Sequence, residues 1–319
     1  MTAVLSTRGL TKEFGAIVAV DDLSFDLREG ELLALIGPNG AGKSTCFDML
    51  MGQQKPTRGQ VFLDGADITG EATRAIWRKG VGRTFQITAT YASMTVVENV
   101  QMALMSHRKD LMRLLPYAHN RYRDEALALL EQVHMADQAD RHCAVLAYGD
   151  LKRMELAIAL AHGPKVLLMD EPFSALDPLI RAHLQDELLE LQARLKRTII
   201  FVSHDLDEAF KLGDRIAILE GGRIVQAGTP RDIYSNPASE YVADFVDHMN
   251  PLGVLTAIDV MTTATAGESH SHSVDADMSV KAVLAELSGG GGTYSVTQNG
   301  AVIGEVSRES VIEKLAESG

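Results

Sequence analysis

The sequence predicts an α/β protein: a mainly parallel sheet with an antiparallel β part, an inserted helical subdomain, and a small α+β second domain behind it. Three observations carry this. Short apolar runs at 166–169, 198–202 and 215–219 each follow a helical pattern, the order that lays strands side by side in parallel. A glycine-rich stretch at 37–42 separates a dense apolar run, ELLALIG, from a helix-like one. After Phe245 the composition shifts, with a small, polar stretch at 263–273 and four glycines at 289–292, both read as flexible loops.

Taken in order, the alternation at 23–27 predicts a half-exposed strand and ELLALIG a buried one. A helix is expected at 44–51 and short strands at 60–63 and 82–85. Residues 95–160 are helical in pattern apart from a basic break, SHRKDLMRLLPYAHN, at 106–120. The expected organisation is a first domain over 1–250, with its helical subdomain near 88–160, and a second over 251–319. In the second, 279–287 predicts a helix, and TYSVTQNGAVIGEVSRESVIEKL reads as strand, Asn-Gly turn, strand, helix.

Composition limits the function classes. The 319 residues are 46% hydrophobic and 23% charged, ordinary globular material, and the net charge of −13 argues against nucleic acid as a partner. No apolar run approaches the roughly 20 residues of a membrane span, and no N-terminal stretch reads as a signal peptide. Any membrane role therefore runs through a partner. Two distant cysteines, Cys46 and Cys143, make no metal pattern and suit a reduced cytosolic compartment.

Gly37, Pro38, Asn39, Gly40, Ala41, Gly42, Lys43 and Ser44 fit G-x-x-x-x-G-K-[ST], followed by Thr45, after a strand and before a helix. Glycines there let backbone N–H groups converge on phosphate oxygens, and the helix N-terminus adds partial positive charge. Lys43 would neutralise the β- and γ-phosphates of ATP, and the Ser44 hydroxyl would ligate Mg²⁺. A glycine turn with a chance lysine is the alternative, and the strand–loop–helix context weighs against it. Asp170 and Glu171 end the apolar run VLLM; Asp170 would hold the Mg²⁺ shell and Glu171 would orient or deprotonate the attacking water. His204 follows TIIFVS at a strand end, placed to reach the γ-phosphate.

Other residues carry two readings. Phe14 is either an adenine platform or a core aromatic at a strand end. Gln86, after GRTF, touches Mg²⁺ or water, but alone gives no signal. Cys46, near a helix start, is either a thiol with a depressed pKa or a small buried residue. His270 and His272 are either metal ligands or part of a solvated linker.

In this order, Phe14, the loop at 37–44, Gln86, LAYGD at 146–150, Asp170-Glu171, SALD at 174–177 and His204 resemble the ATP-binding subunit of an ABC transporter over residues 4–247. The resemblance implies an ABC ATPase fold and a head-to-tail dimer, with a homodimeric or paralogous partner. Two ATP molecules lie between one subunit's phosphate loop and the other's signature, with Asp177 crossing the interface. It also implies transmembrane permease subunits, a substrate-binding protein beyond them, and a peripheral location on the cytoplasmic face of the inner membrane.

The signature position departs from LSGGQ: Ala147, Tyr148, Gly149 and Asp150 stand in LAYGD. LAYGDLKR resembles the form found in branched-chain amino acid importers. Gly149 keeps a close backbone approach, the following helix keeps its N-terminal N–H groups, and Asp150 suits its own first turn rather than a phosphate. Residues 5–171, with GRTFQ and MTVVENV, are most similar to branched-chain amino acid import ATPases. From Pro172 onward, RIAILEGGRIVQAGTP and HMNPLGVLTAIDVM resemble glycine betaine/choline importers, and the 290s onward resembles one repeat of a CBS domain, a regulatory tail. The expected function is an importer ATPase for a small polar solute, a quaternary amine or a branched-chain amino acid. A soluble ABC ATPase of DNA repair or translation would carry paired ATPase domains or long coiled coils. A non-catalytic nucleotide sensor would not need Lys43, Asp170, Glu171 and His204 together. The permease-facing surface is expected within 86–120.

Overall fold

The computed structural model describes residues 3–84, 90–108, 121–247, 251–263, 270, 272–290 and 292–317. The chain divides into two compact units, Met1–Ala227 and Gly228–Gly319.

The first unit holds two sheets. An antiparallel one has the order β2-β1-β4-β5, built from β1 (Ala3–Phe14), β2 (Ile17–Arg28), β4 (Arg58–Leu63) and β5 (Ala66–Asp67). The strand at 23–27 is the end of β2, and its side chains alternate buried and exposed as the pattern predicts. The long β1 was not legible. Its register shifts between Thr7 and Leu10, where Gly9 takes a left-handed φ of 58°, so the apolar period is broken mid-strand.

The second sheet has six strands in the order β10-β9-β3-β8-β7-β6. These are β3 (Leu32–Ile36), β6 (Val81–Thr84), β7 (Val166–Asp170), β8 (Thr198–Ser203), β9 (Arg215–Glu220) and β10 (Arg223–Gly228). β3 runs parallel to both β8 and β9, and β7 runs parallel to both β6 and β8. Central strands covered on both faces are mostly apolar, and every residue of β3, β7 and β8 is buried, polar ones only at the strand ends. This parallel order brings the ends of β3, β7 and β8 to one edge, where ligands bind in open α/β sheets.

Around these sheets lie α1 (Lys43–Leu50), α2 (Thr73–Arg78), α6 (Pro178–Leu195) and α7 (Leu206–Leu212). The helical insertion comprises α3 (Val96–His107), α4 (Arg123–Gln132) and α5 (Tyr148–Leu160). Thr95 and Glu98 form a reciprocal capping box at the start of α3. Most of the basic break, residues 109–120, lies outside the described residues. Among the described residues no helix is long and apolar enough to cross a membrane.

The second unit starts earlier than the expected boundary near 250 and includes α8 (Pro230–Ser235) and α9 (Glu240–Val246). It continues with α10 (Ala257–Val260), β11 (Ser273–Asp275), α11 (Val280–Gly290), β12 (Tyr294–Gln298), β13 (Ala301–Val306) and α12 (Arg308–Glu317). β12 and β13 form the expected Asn-Gly hairpin, with Asn299 and Gly300 both at positive φ, and α12 follows. β11 adds in parallel to β12. The glycine run is not a loop from its start: α11 continues through Gly289 and Gly290. Val280, Val283 and Leu287 on that helix are buried in the unit's core, and packing outweighs the roughly 1 kcal/mol helix penalty of a glycine.

Candidate nucleotide site

The buried β3 delivers the chain into the loop at 37–42, and the loop's shape requires glycine twice. A Cβ on Gly37 would lie 2.2 Å from the Leu219 carbonyl oxygen, and one on Gly42 would lie 2.3 Å from that of Ala19. Both residues also hold positive φ, 151° and 95°. α1 begins directly after Gly42, so its first N–H groups open onto the loop.

Lys43 is buried, and its Nζ donates to the carbonyls of Gly37 at 2.7 Å and Pro38 at 3.0 Å. Burial lowers its pKa, opposed by the negative charges of Glu171 and Asp170. Asn39, Gly40, Ala41, Gly42, Lys43, Ser44 and Thr45 line a cavity of about 280 Å³ together with Ala19 of β2 and Glu171. Thus the phosphate-type loop and the second acid of the β7 end share one space.

Glu171 sits just past β7 with a φ of 44°, a left-handed conformation that costs energy in a non-glycine residue and is concentrated at functional sites. Its N–H donates to the Val202 carbonyl at 3.1 Å, pinning it to the neighbouring strand β8. Its Oε1 lies 3.4 Å from Nδ1 of His204, which follows β8 and is largely exposed.

Asp170 is held by a residue that sequence reasoning missed. Arg83, half-buried on β6, donates from Nη2 to Asp170 Oδ2 at 2.6 Å and from Nη1 to Asp48 Oδ1 of α1 at 2.9 Å. It ties three elements beneath the loop. The one signal in the sequence was a charge within the short strand that precedes Gln86. Gln86 itself lies outside the described residues.

The donor chemistry suits a hard cation. Asp170 carboxylate and Ser44 hydroxyl are oxygen donors, and among the described residues no cluster of three or more His, Cys, Asp or Glu is placed to hold a metal. Mg²⁺ is ordinarily held by one or two protein oxygens together with phosphates and waters, so a sparse oxygen set fits it better than a closed metal cage.

Phe14 is 46% exposed at the end of β1, beside exposed Ile17 and Val18, which removes the core-aromatic reading. Lys12 Nζ lies 4.9 Å from its ring centroid. Cys46 is fully buried and burial pushes its thiol up to about 12, so it is the small buried residue and not an activated thiol. His270 is no solvated linker residue: its Nε2 lies 3.1 Å from Glu305 Oε2 of β13. The His272 ring lies 5.1 Å from that of Tyr294.

Ala147, Tyr148, Gly149 and Asp150 line neither the loop cavity nor the smaller one behind His204. Ala147 is the N-cap of α5 and makes no side-chain cap bond. Asp150 turns onto its own helix: Oδ1 accepts from Arg153 Nη1 at 2.8 Å, and Arg153 forks onto Glu187 of α6 with two bonds of 2.8 Å. Gly149 is buried against α6, where an added Cβ would lie 3.1 Å from Ile180 Cγ2. Bulk there meets the chain's own α6 at Ile180. Tyr148 is 40% exposed, with Lys152 Nζ 5.6 Å from its ring centroid. Asp177 caps α6 by accepting from the N–H groups of Leu179 and Ile180 at 3.1 and 3.0 Å.

Comparison with known proteins places this geometry. Residues 20–174 match the family model described as ABC transporter. The glycine betaine/proline betaine transport system ATP-binding protein ProV of Salmonella typhimurium is 41% identical over 266 residues, 82% of this chain and 64% of that protein. The sulfate/thiosulfate import ATP-binding protein CysA 1 of Agrobacterium fabrum is 39% identical over 246 residues, 77% of this chain and 69% of that protein. A crystal structure of the ADP conformation of MJ1267, an ATP-binding cassette of an ABC transporter, superposes with a TM-score of 0.66 at 26% identity. The superposition covers 76% of this chain and 98% of that one. The chain spans less than two thirds of the length of the betaine-transport relatives it matches.

Proposed function

The chain belongs to the ABC transporter ATP-binding family, and from that premise we propose that it binds Mg·ATP and hydrolyses it to energise a membrane importer. The observation that carries this is the single cavity shared by Lys43, Ser44 and Glu171. There the loop's N–H groups and Lys43 would face the β- and γ-phosphates, and Ser44, with Asp170 at the neighbouring β7 end, would hold the cation. Glu171 takes the proton of the attacking water as its oxygen bonds to the γ-phosphorus and the bond to the β-phosphate oxygen breaks. His204 steadies the γ-phosphate, Gln86 reports on cation and water, and Phe14 stacks on adenine. Mg²⁺, when bound, neutralises charge that develops on the phosphate oxygens.

The second ATP-facing surface, Ala147, Tyr148, Gly149 and Asp150 with Asp177, acts in a dimer on the nucleotide of the other subunit. That dimer docks permease subunits on the cytoplasmic face of the membrane through residues 86–120. The solute is a quaternary amine of the betaine class, a reading supported by the relatives that name betaines; a sulfate/thiosulfate relative of similar identity supports placing the choice of solute in the permease. The second unit, with its Asn-Gly hairpin and flanking helices, is a CBS-like regulatory tail.

Glu171→Gln with retained ATP binding and turnover reduced at least about a hundredfold is the expected result, and Lys43→Ala should instead lose binding. Wild-type turnover in Glu171→Gln would remove the carboxylate from this role. Co-purification with a betaine-type permease supports the importer reading; an ATPase that pairs with no permease favours a soluble ABC ATPase.

A further inference from the structure

His204 stands between two residues that are clamped from behind. Asp205 N–H donates to Ser203 Oγ at 3.0 Å, and Ser203 Oγ is bonded to Glu208 Oε2. Glu208 N–H in turn donates to Asp205 Oδ1 at 3.1 Å, closing the first turn of α7. From α6, Arg181 reaches across: Nη1 pairs with Asp205 Oδ2 at 3.0 Å and Nη2 donates to the Leu176 carbonyl at 3.3 Å. One guanidinium thus joins the loop at 174–177 to the loop that carries His204.

Both residues also have an atom to spare. Glu208 Oε1 and Arg181 Nε are buried with no hydrogen-bond partner. Both residues line a cavity of about 50 Å³ whose wall also includes Glu171, Ser174 and His204. That volume suits one or two waters, which bridge such spare atoms readily. Asp205 already caps α7, so the Glu208 carboxyl, at 6% exposure, is not needed for that, and an acid held there against its desolvation cost points to a role at the cavity.

We propose that Arg181 and Glu208 are positioning residues that hold His204 against Glu171 during hydrolysis. The proposal rests on the roles given above to Glu171 and His204. Burial, with Asp205 beside it, raises Glu208 from the ordinary carboxylate range to about 7, while Ser203, Arg181 and His204 act in the opposite sense. Glu171 faces the same cavity from the β7 end, and Lys211 on α7 is turned away onto Asp186 at 2.6 Å. Below about pH 7 Glu208 is neutral; above it, a second, buried carboxylate faces Asp205, and that repulsion works against the clamp even though Ser203 still donates to Glu208.

The test is steady-state ATPase of the full chain from pH 6 to pH 9, with Glu208→Gln, Arg181→Gln, Arg181→Lys and Glu171→Gln in parallel. Wild-type kcat should fall as pH rises through about 7, and Glu208→Gln should flatten that limb by about threefold or more. Arg181→Gln should lower kcat about tenfold with KM for ATP little changed, and Arg181→Lys should recover part of it. Thermal unfolding separates misfolding from mispositioning, and Arg181→Gln tests the same clamp if Glu208→Gln does not fold. A wild-type pH profile in Glu208→Gln, or unchanged kcat in Arg181→Gln, overturns the proposal. If Glu171→Gln is inactive in that case, the clamp alone fails; if Glu171→Gln is active, the catalytic assignment fails with it.

Discussion

The loop at 37–45 and the segment at 146–150 are both glycine-marked helix starts, yet they hold their shape by different means. The loop is fixed by backbone: Gly37 and Gly42 pass so close to the carbonyls of Leu219 and Ala19 that no side chain fits. The other segment is fixed by side chains: Asp150, Arg153 and Glu187 lock α5 to α6, and Gly149 packs on a half-exposed Ile180. A backbone requirement admits one residue type and leaves a fixed pattern in the sequence. A side-chain lock can be built in several ways, so LAYGD can stand in place of LSGGQ without the helix start being lost.

The largest expected effect tests this asymmetry of glycines. Gly42→Ala places a methyl 2.3 Å from the Ala19 carbonyl at a φ of 95°. It should cost about 2–4 kcal/mol of stability and weaken nucleotide binding at least about a hundredfold. Gly149→Ala, in a helix where only a 3.1 Å contact to Ile180 must relax, should stay within about 1 kcal/mol of wild type. Urea unfolding and ATP binding of the two variants decide it; equal costs would dissolve the comparison.

Next comes the side-chain lock. Arg153→Met leaves the carboxylates of Asp150 and Glu187, each 17% exposed, without their guanidinium. A loss of about 2–3 kcal/mol is expected, larger than for Asp150→Asn, which removes one partner only. A loss that vanishes in high salt would show a surface pair and not a lock.

These contrasts explain what was legible in the sequence. The strands β3, β7 and β8 were, because a strand covered on both faces reads as a near-continuous apolar run. The phosphate loop was, because steric necessity fixes it. β1 was not, because its bulge breaks the alternation at Gly9. Arg83, Arg181 and Glu208 were not, since their meaning lies in partners far along the chain: Arg83 with Asp170, Arg181 with Asp205, Glu208 with Ser203. No spacing rule announces such pairs.

A smaller effect comes from a part-buried base just past α5, His162. His162 packs 4.8 Å from the Trp77 ring and 6.1 Å from that of His107, and Gly82 leaves it room. Burial, with the neighbouring His107, depresses His162 from 6.5 to about 4. Between those values the unfolded chain binds the proton and the folded chain does not. Stability is therefore full above about pH 6.5 and falls as pH drops toward 4, by about 1–2 kcal/mol once solvent screening of this part-buried ring is counted. His162→Phe should flatten the acid side of a plot of unfolding free energy against pH; an unchanged slope would assign it to other groups.

The smallest expected effect returns to the opening pair of helix starts. Ala147 occupies the N-cap of α5 with extended backbone and no side-chain bond to the first turn. Serine there would accept a hydrogen bond from a first-turn N–H and add about 0.5–1 kcal/mol of stability. That same N–H is one of the groups offered to a phosphate, so the substitution sets a hydroxyl and a backbone donor in competition. If backbone groups do the recognising, Ala147→Ser should gain stability while turnover stays within about threefold of wild type. A tenfold or larger rise in turnover would instead assign recognition to the hydroxyl, and LAYGD would then be a weakened signature, not a rebuilt one. Thermal unfolding and steady-state ATPase of this one variant separate the two.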